Sequence, residues 1–212
     1  PAILALMHDA GLALAELDAI CFGSGPGSFT GLRTACSVAQ GLALGAQVPV
    51  LAVDSLLAVA EEARHFALAG QPRGVVTALL DARMDELYTG TYAFEGAVWT
   101  ECAPSALVRP EDLRPWAGGL GDATPAPWAM AGNVLAVYGD RVGSCSAAAS
   151  AARRIPALPT ATAMLRLAPA MLANGLAVSA EHAMPRYVRD KVAKTTAERA
   201  AEKAAAASGL AP

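Results

Sequence analysis

Apolar positions recur at helical spacing from the first residues of the chain. Ile3, Leu4, Leu6 and Met7 mark a helix over Ala2 to Ala10, with Gly11 as its stop. Ala19 to Phe22 is a short apolar run bounded by Asp18 and Gly23, the pattern of a strand. Gly23 to Gly31 holds four glycines and a proline, so it reads as a turn. A helix follows over Leu32 to Leu44, then a strand over Pro49 to Val53, then a helix capped by Ser55 and running to about His65. Ala69 to Gly74 reads as a linker.

The second half opens with hairpin strands. Val75 to Leu80 and Glu86 to Phe94 are strands joined through Asp81 to Asp85, and Ala97 to Cys102 is a third. Pro110, with Glu111 and Asp112 behind it, fits a helix start. Gly118 to Pro127 reads as loop. Trp128 to Ala131 is a strand that enters a helix past Gly132 and Asn133. Thr160 to Asn174 is helical, with a kink expected at Pro169 and a stop at Gly175. Such alternation predicts an α/β chain with mixed sheets in two lobes.

The helix after the glycine-rich turn has two unlike faces. At 100° per residue, Leu32, Ala35, Cys36, Val38, Ala39, Leu42, Ala43 and Ala46 form a broad apolar arc suited to a sheet. Opposite it run Ser37, Gly41 and Gly45, flanked by Arg33, Thr34, Gln40 and Leu44. Gly41 inside a helix costs about 1 kcal/mol relative to Ala. A ridge of small residues lets another backbone approach closely. It serves either as a docking face or as tight packing within the same lobe, and spacing alone leaves both open.

Composition narrows the function. Hydrophobic residues make up 54% of the 212 and charged residues 17%, which excludes a disordered chain. The net charge is −3 and aromatics are 5%, which argues against a tight nucleic-acid binder or a base-stacking platform. No run approaches the roughly 20 apolar residues of a membrane span. The opening lacks the basic stretch of a signal peptide. Cys21, Cys36, Cys102 and Cys145 show no metal or redox spacing, so reduced thiols in the cytoplasm are expected. Arg186 to Lys203 carries six basic and three acidic side chains.

Local motifs offer little catalytic chemistry. Backbone amides at a helix start can hold an anion, but the turn has no lysine of the phosphate-loop kind and does not complete a dinucleotide fingerprint. A tight turn with Ser28 or Thr30 as the helix cap is the better local reading. His8, His65 and His182 are scattered, as surface or cap residues would be. Asp81, Arg83, Asp85 and Glu86 read as a solvated hairpin tip with an Arg–carboxylate pair. No catalytic constellation, metal site or cofactor site emerges.

Longer motifs carry a resemblance. Gly25-Pro26-Gly27-Ser28-Phe29-Thr30-Gly31-Leu32-Arg33, followed by Ala39-Gln40-Gly41-Leu42-Ala43, resembles the signature of the TsaB (YeaZ) family. The likeness continues at Asp81-Ala82-Arg83-Met84 and at Glu181-His182-Ala183-Met184-Pro185-Arg186-Tyr187-Val188-Arg189, and it covers nearly the whole chain to about Lys194. It implies an actin-like (ASKHA) fold: a first lobe over residues 1–70, a second over 71–195, and an Ala-rich tail over 196–212 that is disordered or a frayed helix. Family members begin with three strands before the first helix, so the resemblance also implies a first lobe truncated at its N-terminus.

The resemblance implies a non-catalytic role in forming N6-threonylcarbamoyladenosine in tRNA, at the adenine beside the anticodon. The implied partner is TsaD, which carries the transfer site, with TsaE joining in a larger complex and tRNA met only through that complex. Pairing would use the first lobe's helices, with Arg33, Ser37, Gln40, Gly41, Leu44 and Gly45 at the contact. A homodimer through the same helices is the competing arrangement. No cofactor, metal or membrane contact is implied. Two other readings stand beside it. One is an actin-like phosphotransferase with its own ATP site, favoured by the glycine-rich turn but lacking a second phosphate motif. The other is a peptidase acting on TsaD, for which the sequence offers no nucleophile–base pair.

Overall fold

The computed structural model describes residues 2–116, 127–150 and 152–189. Helix α1 (Ala2–Ala10) buries none of its residues. Strands β1 (Ile20–Gly25) and β2 (Val50–Asp54) pair in parallel, Ile20 opposite Val50, and α2 (Phe29–Ala46) connects them. The glycine-rich stretch is therefore shorter as a turn than its composition suggests. Strand β1 runs through Gly25 and α2 begins at Phe29, leaving Pro26 to Ser28 between them; the Gly25–Pro26 peptide is cis.

Helix α3 (Ser55–Ala67) starts one residue earlier than expected, because its cap is Asp54 and not Ser55. Asp54 is the N-cap, its Oδ1 accepting the Leu56 amide at 2.7 Å, and Ser55 is the first helical residue. A carboxylate at this position satisfies the free amides and meets the positive end of the helix.

The second sheet has the order β5-β4-β3-β6-β7, built from β3 (Arg73–Arg83), β4 (Glu86–Glu95), β5 (Val98–Val108), β6 (Trp128–Gly132) and β7 (Arg153–Ile155). Strands β3, β4 and β5 are antiparallel; β6 and β7 join β3 in parallel. Strand β3 is buried from Gly74 through Leu80, the continuous pattern of a strand covered on both faces. One face carries α3. The other packs Leu79, Leu87, Met130, Val134 and Val142 around Leu113. Helices α4 (Val134–Tyr138) and α5 (Ala147–Ser150) are short.

Strand β5 outruns its expected end at Cys102. The register passes from Thr91↔Ala103 to Thr89↔Ala106, so Pro104 and Ser105 form a bulge on an edge strand, where a missing amide is tolerated. The helix expected at Pro110 does not form. The Pro110 carbonyl accepts from Gly143 at 2.8 Å, and Glu111 from Cys145, so these acceptors serve long-range partners rather than a helical turn.

Helix α6 (Ala161–Ala173) returns to the first sheet. Ala163, Leu167 and Ala168 pack with Leu51, Val53 and Ala58. Thr160 caps it through Oγ1, and the chain leaves at Gly175 with φ +69°. The helix runs through Pro169. The carbonyl freed four residues earlier belongs to the exposed Leu165, where water can satisfy it. Helix α3 lies between the sheets, giving Leu56, Val59, Ala60 and Ala63 to the second and Ala58 to the first. Much of the loop expected at 118–127 and all of the tail at 196–212 lie outside the described residues.

Candidate functional site

Helix α2 presents the first candidate surface. Ser28, not Thr30, is its cap: Ser28 Oγ accepts the Gly31 amide at 3.2 Å. Leu32, Cys36, Ala39 and Ala43 are buried against β1 and β2. Val38, expected on the apolar arc, is exposed, because it lies about 100° round from Ala39. The ridge of Ser37, Gly41 and Gly45 faces outward. Outside the helix itself, no atom of the described residues lies within 4 Å of where a Cβ at Gly41 or Gly45 would stand. Among the described residues, nothing of the chain packs on Gly41 or Gly45. Leu44 beside it is 64% exposed, and α1 exposes Ile3, Leu4 and Leu6.

Arg33 and Gln40 flank the ridge but turn toward the C-terminal motif. Gln40 Nε2 donates to the Ala183 carbonyl at 3.1 Å, and Cys36 Sγ donates to the same oxygen at 3.3 Å. Arg33 Nε donates to Tyr187 Oη at 3.0 Å while its guanidinium stacks 3.8 Å above the Phe29 ring. Phe29 and Tyr187 lie 5.5 Å apart between centroids.

Three separated motifs meet at a cavity of about 350 Å³ between the lobes. Gly27 to Phe29 line one wall, Asp81 to Met84 another, and Arg186 to Arg189 cross between them. The Arg186 amide donates to the Ser24 carbonyl at 2.7 Å. The approach is so close that a Cβ on Gly25, whose φ is +123°, would stand 2.3 Å from the Arg186 carbonyl oxygen. Arg186 Nη1 donates to Asp54 Oδ2 at 3.0 Å, and Tyr92 Oη donates to the same oxygen at 3.0 Å. Arg189 pairs with Glu86 at 2.7 Å and donates to the Ala82 carbonyl at 2.9 Å.

Burial sets the electrostatics of these groups. It pushes the Asp54 carboxyl above its usual range, against the Leu56 amide, Tyr92 and Arg186. It also raises the Tyr92 phenol, with the Asp54 charge adding to the effect. Glu61, 1% exposed, is driven up by burial, yet donors from Arg64, Trp99 and Arg166 together hold it below the usual carboxylate range. At the hairpin tip Asp81 pairs with Arg83, as the charge pattern predicts, and Asp85 pairs with Arg141. Arg186 and Arg189 are thus engaged within the chain.

Sequence reasoning missed two features, one beside this cavity and one outside it. The Asp54–Tyr92–Arg186 junction joins positions far apart; the only local signal was an Asp standing directly before a predicted helix. The other is a Ser–His contact, contrary to the expectation of no nucleophile–base pair. Ser179 Oγ lies 2.8 Å from His182 Nδ1. The three-residue spacing on a single 3-10 turn (Ala180–His182) could have revealed it. The contact joins two side chains on one exposed turn, and His182 is 74% exposed. Among the described residues no three His, Cys, Asp or Glu side chains gather as a metal would need, and no helix is long and apolar enough to cross a membrane.

Among the described residues only the second sheet is mixed, the first being a parallel pair, β1 and β2; these two lobes and the motifs between them define a protein of the actin-like class. The family model "TsaD: tRNA N6-adenosine threonylcarbamoyltransferase" matches residues 1–197. The Escherichia coli tRNA threonylcarbamoyladenosine biosynthesis protein TsaB is 34% identical over 91% of this chain and 80% of its own length. YeaZ from Pseudomonas aeruginosa superposes with a TM-score of 0.71 at 39% identity, covering 87% of this chain and 80% of its own. A second Pseudomonas aeruginosa structure, described as an uncharacterized protein with similarity to peptidase YeaZ, gives 0.73 at 39% identity, over 88% and 81%. The chain belongs to the TsaB family.

Proposed function

We propose that this chain acts in the cytoplasm in forming N6-threonylcarbamoyladenosine in tRNA, as a non-catalytic subunit that pairs with TsaD. TsaE joins the pair, and tRNA is met through the assembly. The observation that carries the reading is the outward ridge of Ser37, Gly41 and Gly45 on α2, uncovered among the described residues and flanked by exposed Leu44. Small residues at such a face permit close backbone approach, and the neighbouring apolar side chains supply the area a stable contact needs. In this division of labour the first lobe, residues 1–70, carries the pairing helices, and 71–195 forms the second.

The test is reconstitution. TsaD with this chain, TsaE, tRNA, ATP and preformed threonylcarbamoyl-adenylate, whose AMP is the leaving group, should yield modified adenine, and omission of this chain should abolish it. This chain without TsaD should yield none. Modification by TsaD and TsaE at full rate without this chain would overturn the reading.

The Ser179–His182 contact favours a peptidase as second reading. Incubation with TsaD should leave TsaD intact; cleavage that Ser179→Ala abolishes would replace the scaffold with an enzyme.

A further inference from the structure

The segment from Ala183 to Arg189 passes from one lobe to the other, and its two ends are held differently. Its first-lobe end is anchored through both backbone and core. Ala183 is fully buried, its carbonyl takes donors from Cys36 and Gln40, and the Arg186 amide bonds Ser24. Arg186 adds Asp54, and Tyr187 adds Arg33 and Phe29. The second-lobe end is held through side chains. Val188 packs half-buried on the second sheet's core, and Arg189 grips the hairpin tip through Glu86, the Ala82 carbonyl and Met84 Sδ.

What Arg189 grips is a strained turn. Arg83, Met84 and Asp85 stand at φ +61°, +55° and +62°, three consecutive side-chain-bearing residues in the left-handed region. L-residues visit that region as single positions, because Cβ crowds the following carbonyl. Such a turn persists only where its surroundings impose it. Arg189 on one side and Arg141, bonded to Asp85, on the other supply that constraint.

We propose that residues 183–189 are a releasable strap. Arg189 lets go of the Arg83–Asp85 turn while Ala183 to Tyr187 stay on α2, and the inter-lobe cavity opens from the second-lobe side. The asymmetry of the anchors sets which end moves, and relaxation of the left-handed turn favours the release. The turn and the far end of the strap then form one opening unit, less stable than the sheet beneath them.

Hydrogen exchange on the full chain tests this. In the unmodified protein, amides of 82–86 should exchange at least tenfold faster than those of Thr91 to Phe94 and than the Arg186 amide, which bonds Ser24 at the end that stays. Arg189→Met, which keeps the stem and removes the guanidinium, should speed exchange at 82–86 by about another tenfold, equivalent to about 1.4 kcal/mol, and leave Arg186 and Thr91 to Phe94 unchanged. Adding Met84→Gly, which accepts a left-handed φ freely, should restore protection at the turn. Exchange of 82–86 only at the rate of the central strands would overturn the proposal, with no variant required. So would Arg189→Met raising exchange evenly through β3 and β4, which would make Arg189 a fixed part of the sheet's fold.

Discussion

Tyr92 Oη donates to Asp54 Oδ2 at 3.0 Å across 38 positions of sequence, tying the middle of the second sheet to the cap of the helix between the lobes. Asp54 also caps α3 and receives Arg186, so one carboxylate serves three elements.

Asp54 should give the protein an unusual pH slope. Burial holds its carboxyl above the usual range. An acid with a raised folded value binds its proton more readily folded than unfolded. Its contribution is fully present below the unfolded value of about 3.9 and is lost as pH rises through the folded value. The stability of the unmodified protein relative to Asp54→Asn should therefore fall as pH rises from about 4, by no more than about 1.4 kcal/mol per pH unit. Urea unfolding of both proteins across that range measures it. A difference that grows with pH would contradict the assignment.

Glu61 should behave in the opposite sense. Its partners hold it below the usual range, so its contribution is present above the unfolded value of about 4.3 and fades as pH falls through the folded one. Glu61→Gln leaves Arg64 and Arg166 without their shared carboxylate and should cost about 3 kcal/mol near neutrality, with the loss shrinking in acid. Paired unfolding curves at neutral and acidic pH read both effects.

Gly25→Ala should weaken the whole junction. The backbone conformation alone costs about 1–3 kcal/mol, and the new Cβ presses on the Arg186 carbonyl. At about 2–4 °C per kcal/mol for a chain of this size, the drop is readable by calorimetry. An unchanged melting temperature would mean that the strap does not approach β1 this closely.

Gly41→Leu should separate pairing from folding. The site has room for the side chain, and Leu is the better helix former, so the melting temperature should hold or rise. A Leu wedged into a close contact costs about 1–3 kcal/mol, roughly a 5- to 150-fold loss of TsaD affinity. Isothermal titration and thermal melting of the same preparation give both numbers. Retained affinity would move the pairing surface off this ridge.

Local rules carried the elements and stopped at the junctions. Most of the buried face of α2, the helix read over Thr160 to Asn174, its Gly175 stop and the paired strands Val75 to Leu80 and Glu86 to Phe94 follow from periodicity and cap chemistry acting within a few residues. Pro104 hid the rest of β5 because proline stops a strand by local rule, and only the edge position and the bulge excuse it. Pro110 and Glu111 looked like a helix start because their carbonyls' true partners, Gly143 and Cys145, lie over thirty positions away. The cleft was legible as three motifs but not as one place. Arg186 finds Asp54, and Arg189 finds Ala82, only once both lobes have formed.

Cys36 places a chemical clock inside the molecule. Its thiol is 4% exposed, is pushed up in pKa by burial, and is engaged by the Ala183 carbonyl, so a thiol reagent should find it inert while Cys145 reacts at once. Modification of Cys36 then requires Ala183 to leave α2, a larger event than letting go at Arg189. The ratio of its labelling rate to that of an open thiol counts how often the well-anchored end of the segment departs, in a native protein with no probe attached beforehand.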